Sequence, residues 1–390
     1  MEFNFIDIVS LFIVFVSLLF AAYLLTMKSE NYTSNLLIAL FLILNAQDSS
    51  SIFSNFVYPN FPGWGMLMNS TVFFTMPLLY LYILSVIYSD FSLKGKHLIH
   101  CIPFIINAVV FIPRYYAVDF DEKWIFLNAN DIERMPEVKI SYLLIHSQIA
   151  FYLIASFLAI RKYKNLLLEN YSNASMFSHK WMFQLILIIA IESVVAGIKN
   201  VFMFLHIEKV YYYTLLLTAL MMLGIVCWLV LKALQSPQLF RGIDSNLQLV
   251  RTLIKESNLV DTNPDQSSTK KDAEIQEKID MLEKFMIDQK LFLDASLTMY
   301  DLSKHLNMPV RELSLLINHD LDQHFFDFVN GYRIRQAMEM LRDPDKKEYT
   351  VLEILYDVGF NSKSSFNTAF KKLTRLTPTE YRLRHLKAAG

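Results

Sequence analysis

The sequence TVLEILYDVGFNSKSSFNTAFKKLTRLTPTEYR, residues 350–382, decides the fold of the C-terminal part of the chain. It opens with Thr350 and has Glu353 three residues later, which is the capping-box pattern of a helix start. Gly359 follows and can take the left-handed backbone conformation that ends a helix. Apolar residues then repeat at four-residue spacing. The stretch therefore predicts a short helix, a turn and a second helix, which is a helix-turn-helix.

A similar stretch, TMYDLSKHLNM, begins 52 residues earlier at Thr298. It has Asp301 where the later copy has its acid, and Asn307 where the later copy has its glycine. Asparagine also tolerates the left-handed conformation. Two copies in register predict a double helix-turn-helix. The side chains that we expect to face inward from the two second helices are Leu313, Ile317, Phe366 and Phe370.

An apolar-rich stretch, His324–Leu341, separates the two copies and predicts one helix of 18 residues. Such a helix is about 27 Å long at about 1.5 Å per residue. Successive major-groove entries on one face of DNA lie roughly 34 Å apart. A rigid helix of this length would hold two DNA-reading helices in consecutive grooves.

Residues Ile275–Lys387 resemble the AraC family of transcription regulators. In the first half of this region FDFVNGYR, residues 326–333, carries the resemblance. In the second half it is carried by Gly359-Phe360, Ser362, Ser365-Phe366, Phe370-Lys371, Thr377-Pro378 and Tyr381-Arg382. The layout of the whole chain also resembles membrane-bound AraC-type regulators, in which a multi-helix membrane sensor precedes this domain.

The resemblance implies that the domain reads double-stranded promoter DNA. Bases would be contacted from the two second helices, by Arg311, Glu312, Ser314, Leu315, Asn361, Lys363, Ser364, Asn367 and Thr368. Phosphate contacts are expected, by charge, from Lys371, Lys372, Arg375 and Arg382. A solvated surface position is the alternative for each of these side chains.

Four positions depart from the family pattern. Many relatives have a long polar residue where Leu315 and Thr368 stand, so two guanine contacts of the Arg type are missing here. Many relatives have Gly at Asp322 and Arg375, where a left-handed helix cap is expected and a non-Gly residue costs more. The DNA sequence that this domain prefers is therefore not predicted.

The whole chain is too apolar for an ordinary soluble protein, because 54% of its residues are hydrophobic and 19% are charged. Residues 1–234 contain seven apolar stretches long enough to cross a hydrocarbon core of about 30 Å, and these must be helices. The predicted spans are Phe5–Thr26, Asn35–Phe56, Met66–Tyr88, His97–Tyr116, Ile140–Ile160, Met182–Leu205 and Val210–Leu231. Membrane lipid is therefore one expected partner.

The charges between the spans predict the topology. Lys and Arg favour the cytoplasmic side. The first, third and fifth gaps carry Lys28, Lys94, Lys96, Arg161, Lys162, Lys164 and Lys180, whereas the fourth gap holds six acids against Arg114, Lys123, Arg134 and Lys139. We therefore expect a multi-pass protein of the inner (cytoplasmic) membrane, with the N-terminus outside and the C-terminal domain in the cytoplasm. This arrangement needs an odd number of spans.

Four ionisable residues at membrane depth are candidates for sensing a signal molecule of unknown identity: Asp48, His146, Glu192 and Lys199. Glu192 and Lys199 are seven residues apart and so share a helix face. The alternative is that these groups only hold the bundle together through hydrogen bonds between helices. The longest outside loop, Ala117–Val138, is predicted to be a lid, an extracellular recognition element or a solvated connector with Trp124 anchored at the membrane interface.

Residues 235–274 are predicted to connect the membrane domain to the DNA-binding domain, 275–390. They include a polar stretch, Asp261–Lys271, which is typical of a flexible linker. Ile275–Ile287 follows with the apolar spacing of an amphipathic helix. That helix would pack onto the following domain or, in the alternative, form the seam of a homodimer.

The sequence thus predicts an all-α protein: a seven-helix transmembrane bundle followed by an AraC-like domain with two helix-turn-helix motifs. No nucleotide loop, catalytic triad or metal-ligand spacing occurs, so neither an enzyme nor a cofactor is expected. The two cysteines, Cys101 and Cys227, lie in apolar segments and suggest no disulfide framework. Two alternative functions stay open: a transporter or channel with an appended regulatory domain, and a C-terminal domain that binds proteins instead of DNA.

Overall fold

The computed structural model describes residues 4–27, 32–50, 56–57, 60–88, 90–127, 132–173, 179–235 and 268–386. Its fold is all-α, as predicted, with short 3₁₀ and π turns between the α-helices. The chain divides into two compact units. The first consists of Met1–Arg161 and His179–Ser245, and the second of Lys162–Ser178 and Asn246–Gly390.

The first unit combines long apolar helices with a few short ones. They are α1 (Phe5–Thr26), α2 (Tyr32–Asp48), α3 (Pro62–Ser70), α4 (Thr75–Ile87), α5 (Ile102–Phe111), α6 (Phe120–Leu127), most of α7 (Pro136–Asn170), α8 (His179–Phe204) and α9 (Glu208–Gln235). A 3₁₀ turn joins α3 to α4, and a π turn, Ile112–Tyr116, extends α5.

Six helical segments in the described part of the chain are long and apolar enough to cross a membrane, and they match six of the seven predicted spans. They are Phe5–Thr26, Pro62–Ile87, Gly95–Tyr116, Pro136–Asn170, Lys180–Phe204 and Glu208–Leu234. The remaining predicted span begins in α2, which has 17 residues, and its residues 51–55 lie outside the described part. The count of seven stays a prediction.

Helix α7 is longer than its predicted span. Its 35 residues correspond to about 52 Å, whereas the hydrocarbon core is about 30 Å thick. The sequence pattern missed the extension because residues 161–170 carry charges among their apolar positions. These last turns belong to the second unit, which begins at Lys162.

The loop Ala117–Val138 contains α6 and is packed against the bundle. Phe126 is buried in a cluster with Met66, Phe111 and Tyr115. Residues 128–131 lie outside the described part. A purely solvated connector is therefore the wrong description for the α6 part of the loop, because aromatic burial holds this helix down.

The second unit contains seven shorter helices besides the end of α7, within the described residues. They are α10 (Ser268–Gln289), α11 (Met299–Leu306), α12 (Val310–Leu315), α13 (Phe325–Arg342), α14 (Val351–Asp357), α15 (Lys363–Thr374) and α16 (Pro378–Leu386). Helix α10 begins at Ser268, so the last four residues of the predicted polar linker are helical. Lysines and an alanine, good helix formers, extend the amphipathic run backward here. Residues 261–267 of that linker lie outside the described part.

Two hydrophobic cores organise this unit, and α13 contributes to both. Leu282 and Met286 of α10 are buried in the first core with Leu302 and Leu313. This confirms the prediction that the amphipathic helix packs onto the following domain. The N-terminal half of α13, Phe325 to Tyr332, lies in the first core. Its C-terminal half lies in the second core, with side chains of α14, α15 and α16.

Candidate nucleic-acid interface and membrane cavity

The first reading unit consists of α11, α12 and the π turn Leu316–Asp320. A capping box starts it: the Thr298 hydroxyl accepts from the Asp301 amide at 3.1 Å, and the Asp301 carboxylate accepts from the Thr298 amide at 3.1 Å. Asn307 ends α11 in the left-handed conformation, with φ 53°. Leu313 and Ile317 are fully buried. The predicted helix-turn-helix is confirmed here.

The second reading unit consists of α14 and α15. Its capping box joins Thr350 and Glu353 by two bonds, of 3.1 Å and 2.6 Å. Gly359 ends the first helix with φ 88°. The Ser362 hydroxyl then caps α15. The two inward phenylalanines of α15 are fully buried, as predicted.

The helix between the reading units, α13, has the predicted length of 18 residues and starts one residue later than predicted, at Phe325. Asp322 before it and Arg375 after α15 have φ angles of 47° and 64°. Both are the left-handed caps expected where relatives have glycine. Each therefore carries backbone strain that glycine would not have.

Most of the predicted DNA-contacting side chains are at the surface of the second unit. Exposed ones are Arg311, Asn361, Lys363, Ser364, Thr368, Lys371, Lys372 and Arg375, and partly exposed ones are Glu312, Leu315, Asn367 and Arg382. Ser314 differs, because it is buried and its hydroxyl accepts from the Asn318 amide at 3.2 Å. Its orientation follows from packing, and we leave it out of the proposed interface.

Two of these residues form ion pairs that the sequence pattern did not predict. Glu312 lies 2.8 Å from Lys278 of α10, and Lys372 lies 2.7 Å from Asp327 of α13. Hydrogen bonds from Lys278 to Glu274 and Glu312 raise the pKa of its ammonium. Sequence reasoning missed these partners because they are on other helices, so no local spacing brings them together.

At Leu315 and Thr368, two of the four positions that depart from the family pattern, the structure offers little to a base. Leu315 is partly exposed and apolar. The Thr368 hydroxyl donates to the Ser364 carbonyl of its own helix at 2.8 Å. Its methyl group is then the part that remains for an apolar contact, such as one with a thymine methyl.

The first unit contains a cavity of about 930 Å³, and all four candidate sensor residues line it. Asp48 comes from α2, His146 from α7, and Glu192 and Lys199 from one face of α8. The Asn200 amide and the His146 ring are 3.0 Å apart. Separate helices thus bring the predicted charges to one place.

The sequence pattern missed two further lining residues, Asn107 and Glu133. Asn107 is 3% exposed; its amide nitrogen donates to the Ser70 hydroxyl at 3.1 Å. Its carbonyl oxygen is buried and has no hydrogen-bond partner within the described residues. Asn107 could have been found as a polar residue in an apolar span. Glu133 lies in the loop Ala117–Val138, where an acidic residue is ordinary and does not indicate a site.

Comparison with protein families identifies the C-terminal domain. Residues 302–384 match the family described as a helix-turn-helix domain. The domain is of the AraC type. The match runs from within α11 to within α16 and so covers most of the first reading unit, all of α13 and the whole second reading unit. Domains of this family are DNA-binding regulators and typically not enzymes, and the match does not favour the transporter alternative. No curated protein and no solved structure matched the chain.

Proposed function

We propose that this protein is a membrane-embedded transcription regulator that binds promoter DNA through its two reading units and responds to a signal through its membrane half. The observation that carries the proposal is the AraC-type match over two capped helix-turn-helix motifs that share α13. Six long apolar helices suggest insertion in a membrane. The DNA-binding domain and the charge pattern favour a cytoplasmic C-terminus and an outside N-terminus.

Both reading units expose positively charged side chains, which DNA binding needs. Arg311 in the first unit and Lys363 in the second are exposed near the start of their second helices, where AraC-type readers are expected to meet base edges. Lys371 and Arg375 add positive charge at the other end of α15, where they would contact phosphates. Because α13 is about 27 Å long, the two units would enter successive major grooves.

The cavity supports the sensing half of the proposal. Its lining has three carboxylates, of Asp48, Glu133 and Glu192, against one ammonium, of Lys199, and the remaining lining combines apolar side chains with polar ones that include His146. The buried, unpartnered carbonyl of Asn107 adds an acceptor. A ligand with an apolar body and a positively charged group fits this lining best, because such a group would be paired with a carboxylate away from water.

Genome-wide crosslinking of the full chain to DNA in cells tests DNA binding. We expect enrichment at promoters that falls strongly when Lys363→Ala and Asn367→Ala are combined, because only the first reading unit then holds the DNA. Lys347→Ala is the matched control, because Lys347 is exposed and lies outside both reading units. Equal enrichment by the double variant and the control would contradict the assignment of α15 as a reading helix.

Transcription from an identified promoter across growth conditions tests the cavity. We expect Asp48→Asn and Glu192→Gln to flatten the response to conditions while the amount of protein in the membrane stays unchanged. Glu208→Gln, at the start of α9 and outside the cavity lining, is the control. An unaltered response in both cavity variants would refute sensing at this site, and solute flux in proteoliposomes would revive the transporter alternative.

A further inference from the structure

The second unit contains a segment that sequence analysis assigned to the membrane domain. Glu169–Asn173, here called the docking segment, ends α7 and leads toward α8, and it belongs to the same compact unit as the DNA-binding domain. An isolated antiparallel bridge pairs Tyr171 with Thr298, the residue that caps α11. Strand-like pairing is a specific contact because it fixes the register of both chains.

Ser172 is the centre of this contact. It is 1% exposed. Its amide donates to the Leu297 carbonyl at 3.2 Å, and its hydroxyl donates to the same oxygen at 2.6 Å. The carbonyl of Ser172 accepts from the Asn330 amide at 3.3 Å. Every polar group of this residue is thus engaged by the DNA-binding domain.

Arg333 of α13 is also fully buried, and it depends on Ser172. Its Nη1 donates to the Ser172 carbonyl at 3.2 Å, and its Nη2 donates to the Ser172 hydroxyl at 3.1 Å. Further bonds go to the carbonyls of Phe292 and Asp294 and to Asn330. Burial lowers the pKa of Arg333 to about 10, so it stays charged at neutral pH. A buried cation needs its acceptors, and two of its five bonds come from the docking segment.

The same arginine lies where the two reading units meet. Its Nε donates to the Phe292 carbonyl at 2.6 Å, and the turn at Gly359 packs against that same carbonyl. Its guanidinium also lies over the Phe360 ring, 5.6 Å from the centroid. The docking segment therefore supports the junction that fixes the spacing of the two units.

A second, weaker contact reaches the first reading unit directly. The Asn318 amide donates to the Glu169 carbonyl at 3.4 Å. Asn318 lies in the π turn that ends this unit, and its side-chain oxygen accepts from the amide of Phe325, the first residue of α13. The docking segment thus touches the start of α11, the end of the first reading unit and the middle of α13.

We propose that the docking segment holds the two reading units in their DNA-binding arrangement, so that a shift of α7 changes the affinity for DNA. In this arrangement the reading side chains of α15 stay exposed, so docking leaves them free for DNA. The regulatory part rests on the proposed function, whereas the docking contact stands without it.

The membrane topology agrees with this contact. Two spans, α8 and α9, lie between the docking segment and residues 246–390. An even number of crossings returns the chain to the same side. The gap that contains the docking segment also carries Arg161, Lys162, Lys164 and Lys180, as a cytoplasmic gap should. The contact gives the membrane helices a route to the reading units besides the chain connection through residues 236–267.

A disulfide between Tyr171→Cys and Thr298→Cys tests the docking in the full chain. Residues opposite each other in an antiparallel pair have Cα atoms roughly 4.5–5.5 Å apart, which suits a disulfide. Cys101 and Cys227, both free, would first be replaced by alanine. Mild oxidation in nanodiscs should join the pair, as detected by peptide mass spectrometry. The control pair, Tyr171→Cys with Tyr300→Cys, should stay reduced.

The regulatory part is tested by adding Ser172→Ala to the protein that carries Tyr171→Cys and Thr298→Cys. Its affinity for a promoter fragment recovered by crosslinking is then measured. We expect about a fivefold or greater loss, as for other couplings between sites, and recovery when the disulfide forms. Ser296→Ala, whose hydroxyl contacts Asp294, should have no effect.

Each result has a distinct meaning. If the protein with Tyr171→Cys and Thr298→Cys forms no more disulfide than the control pair does, the docking is overturned. A disulfide without any difference in affinity between the reduced and oxidised Ser172→Ala proteins overturns the regulatory part. A disulfide in a chain that binds no DNA in any form supports the docking and refutes the proposed function.

Discussion

Gly359 and Leu293 touch so closely that a Cβ atom on Gly359 would lie 2.6 Å from the Leu293 carbonyl oxygen. Gly359 is in the second reading unit, and Leu293 is in the 3₁₀ turn that precedes the first. The contact therefore joins the two halves of the DNA-binding domain backbone to backbone. The φ angle of Gly359, 88°, is a second reason for glycine here, because other residues rarely adopt it.

We predict that Gly359→Ala destabilises this domain by at least about 1–3 kcal/mol, the cost of the backbone conformation alone. The close carbonyl adds to that cost. The destabilisation is measured by thermal unfolding of the full chain in nanodiscs and by hydrogen exchange at residues 292–297. An alanine variant that unfolds and exchanges as the parent does would show that this turn is not packed as described.

Arg375→Gly is predicted to act in opposite directions on stability and DNA binding. The left-handed φ of 64° is relieved by glycine, which should raise the free energy of unfolding by about 1 kcal/mol. Loss of the exposed guanidinium should lower DNA affinity and reduce the slope of log affinity against log salt concentration by about 1. Titrations at several salt concentrations separate the two effects, and an unchanged slope would remove Arg375 from the phosphate contacts.

Asp327→Asn is predicted to strengthen DNA binding. The Asp327 carboxylate lies 2.7 Å from Lys372, and its removal frees that ammonium for a phosphate, so the salt slope should become steeper by up to about 1. Asp345→Asn removes the same charge at an exposed position outside the reading units. If both variants change affinity equally, only net charge matters and the ion pair has no special role.

Acid is predicted to weaken the start of α14. The Glu353 carboxylate accepts from the Thr350 amide at 2.6 Å and from its hydroxyl at 2.7 Å, which lowers the pKa of Glu353 below 4.5. Because the folded pKa is lower than the unfolded one, this contribution is present above about pH 4.5 and is lost as the pH falls through the folded value.

The unfolding temperature of Glu353→Gln should therefore fall less steeply with acid than that of the parent, since glutamine can still cap without titrating. Glu339→Gln, exposed on α13, is the control. An acid dependence that is identical in the two variants would mean that this capping box does not contribute to acid sensitivity. The Glu380 carboxylate, which accepts from the Thr377 amide, should behave in the same way.

Local features of this fold could be read from the sequence. Capping boxes at Thr298 and Thr350 and the left-handed residues Asn307 and Gly359 act within one turn of chain. Apolar spacing likewise predicted six of the long apolar helices and the packing of α10. Burial of Ser314 and the ion pairs of Glu312 and Lys372 depend on other helices, so residue type and spacing could not reveal them.

The contact of the docking segment could not be predicted from the sequence either, because its partners are distant in the chain. Ser172 and Arg333 are 161 residues apart, and neither is unusual in its own surroundings. Helix α13 has two other arginines, Arg335 and Arg342, and both are exposed, so the sequence does not show that Arg333 is buried and must have acceptors. Where those acceptors come from is decided only by the tertiary fold.

The central claim is that both reading units bind promoter DNA at once, in successive major grooves. Footprinting of the full chain in nanodiscs on a crosslinked promoter fragment tests it most directly. We predict two protected segments about 10 base pairs apart, with Lys363→Ala and Asn367→Ala together erasing one of them and leaving the other. A single protected segment, or none at low salt, would contradict it.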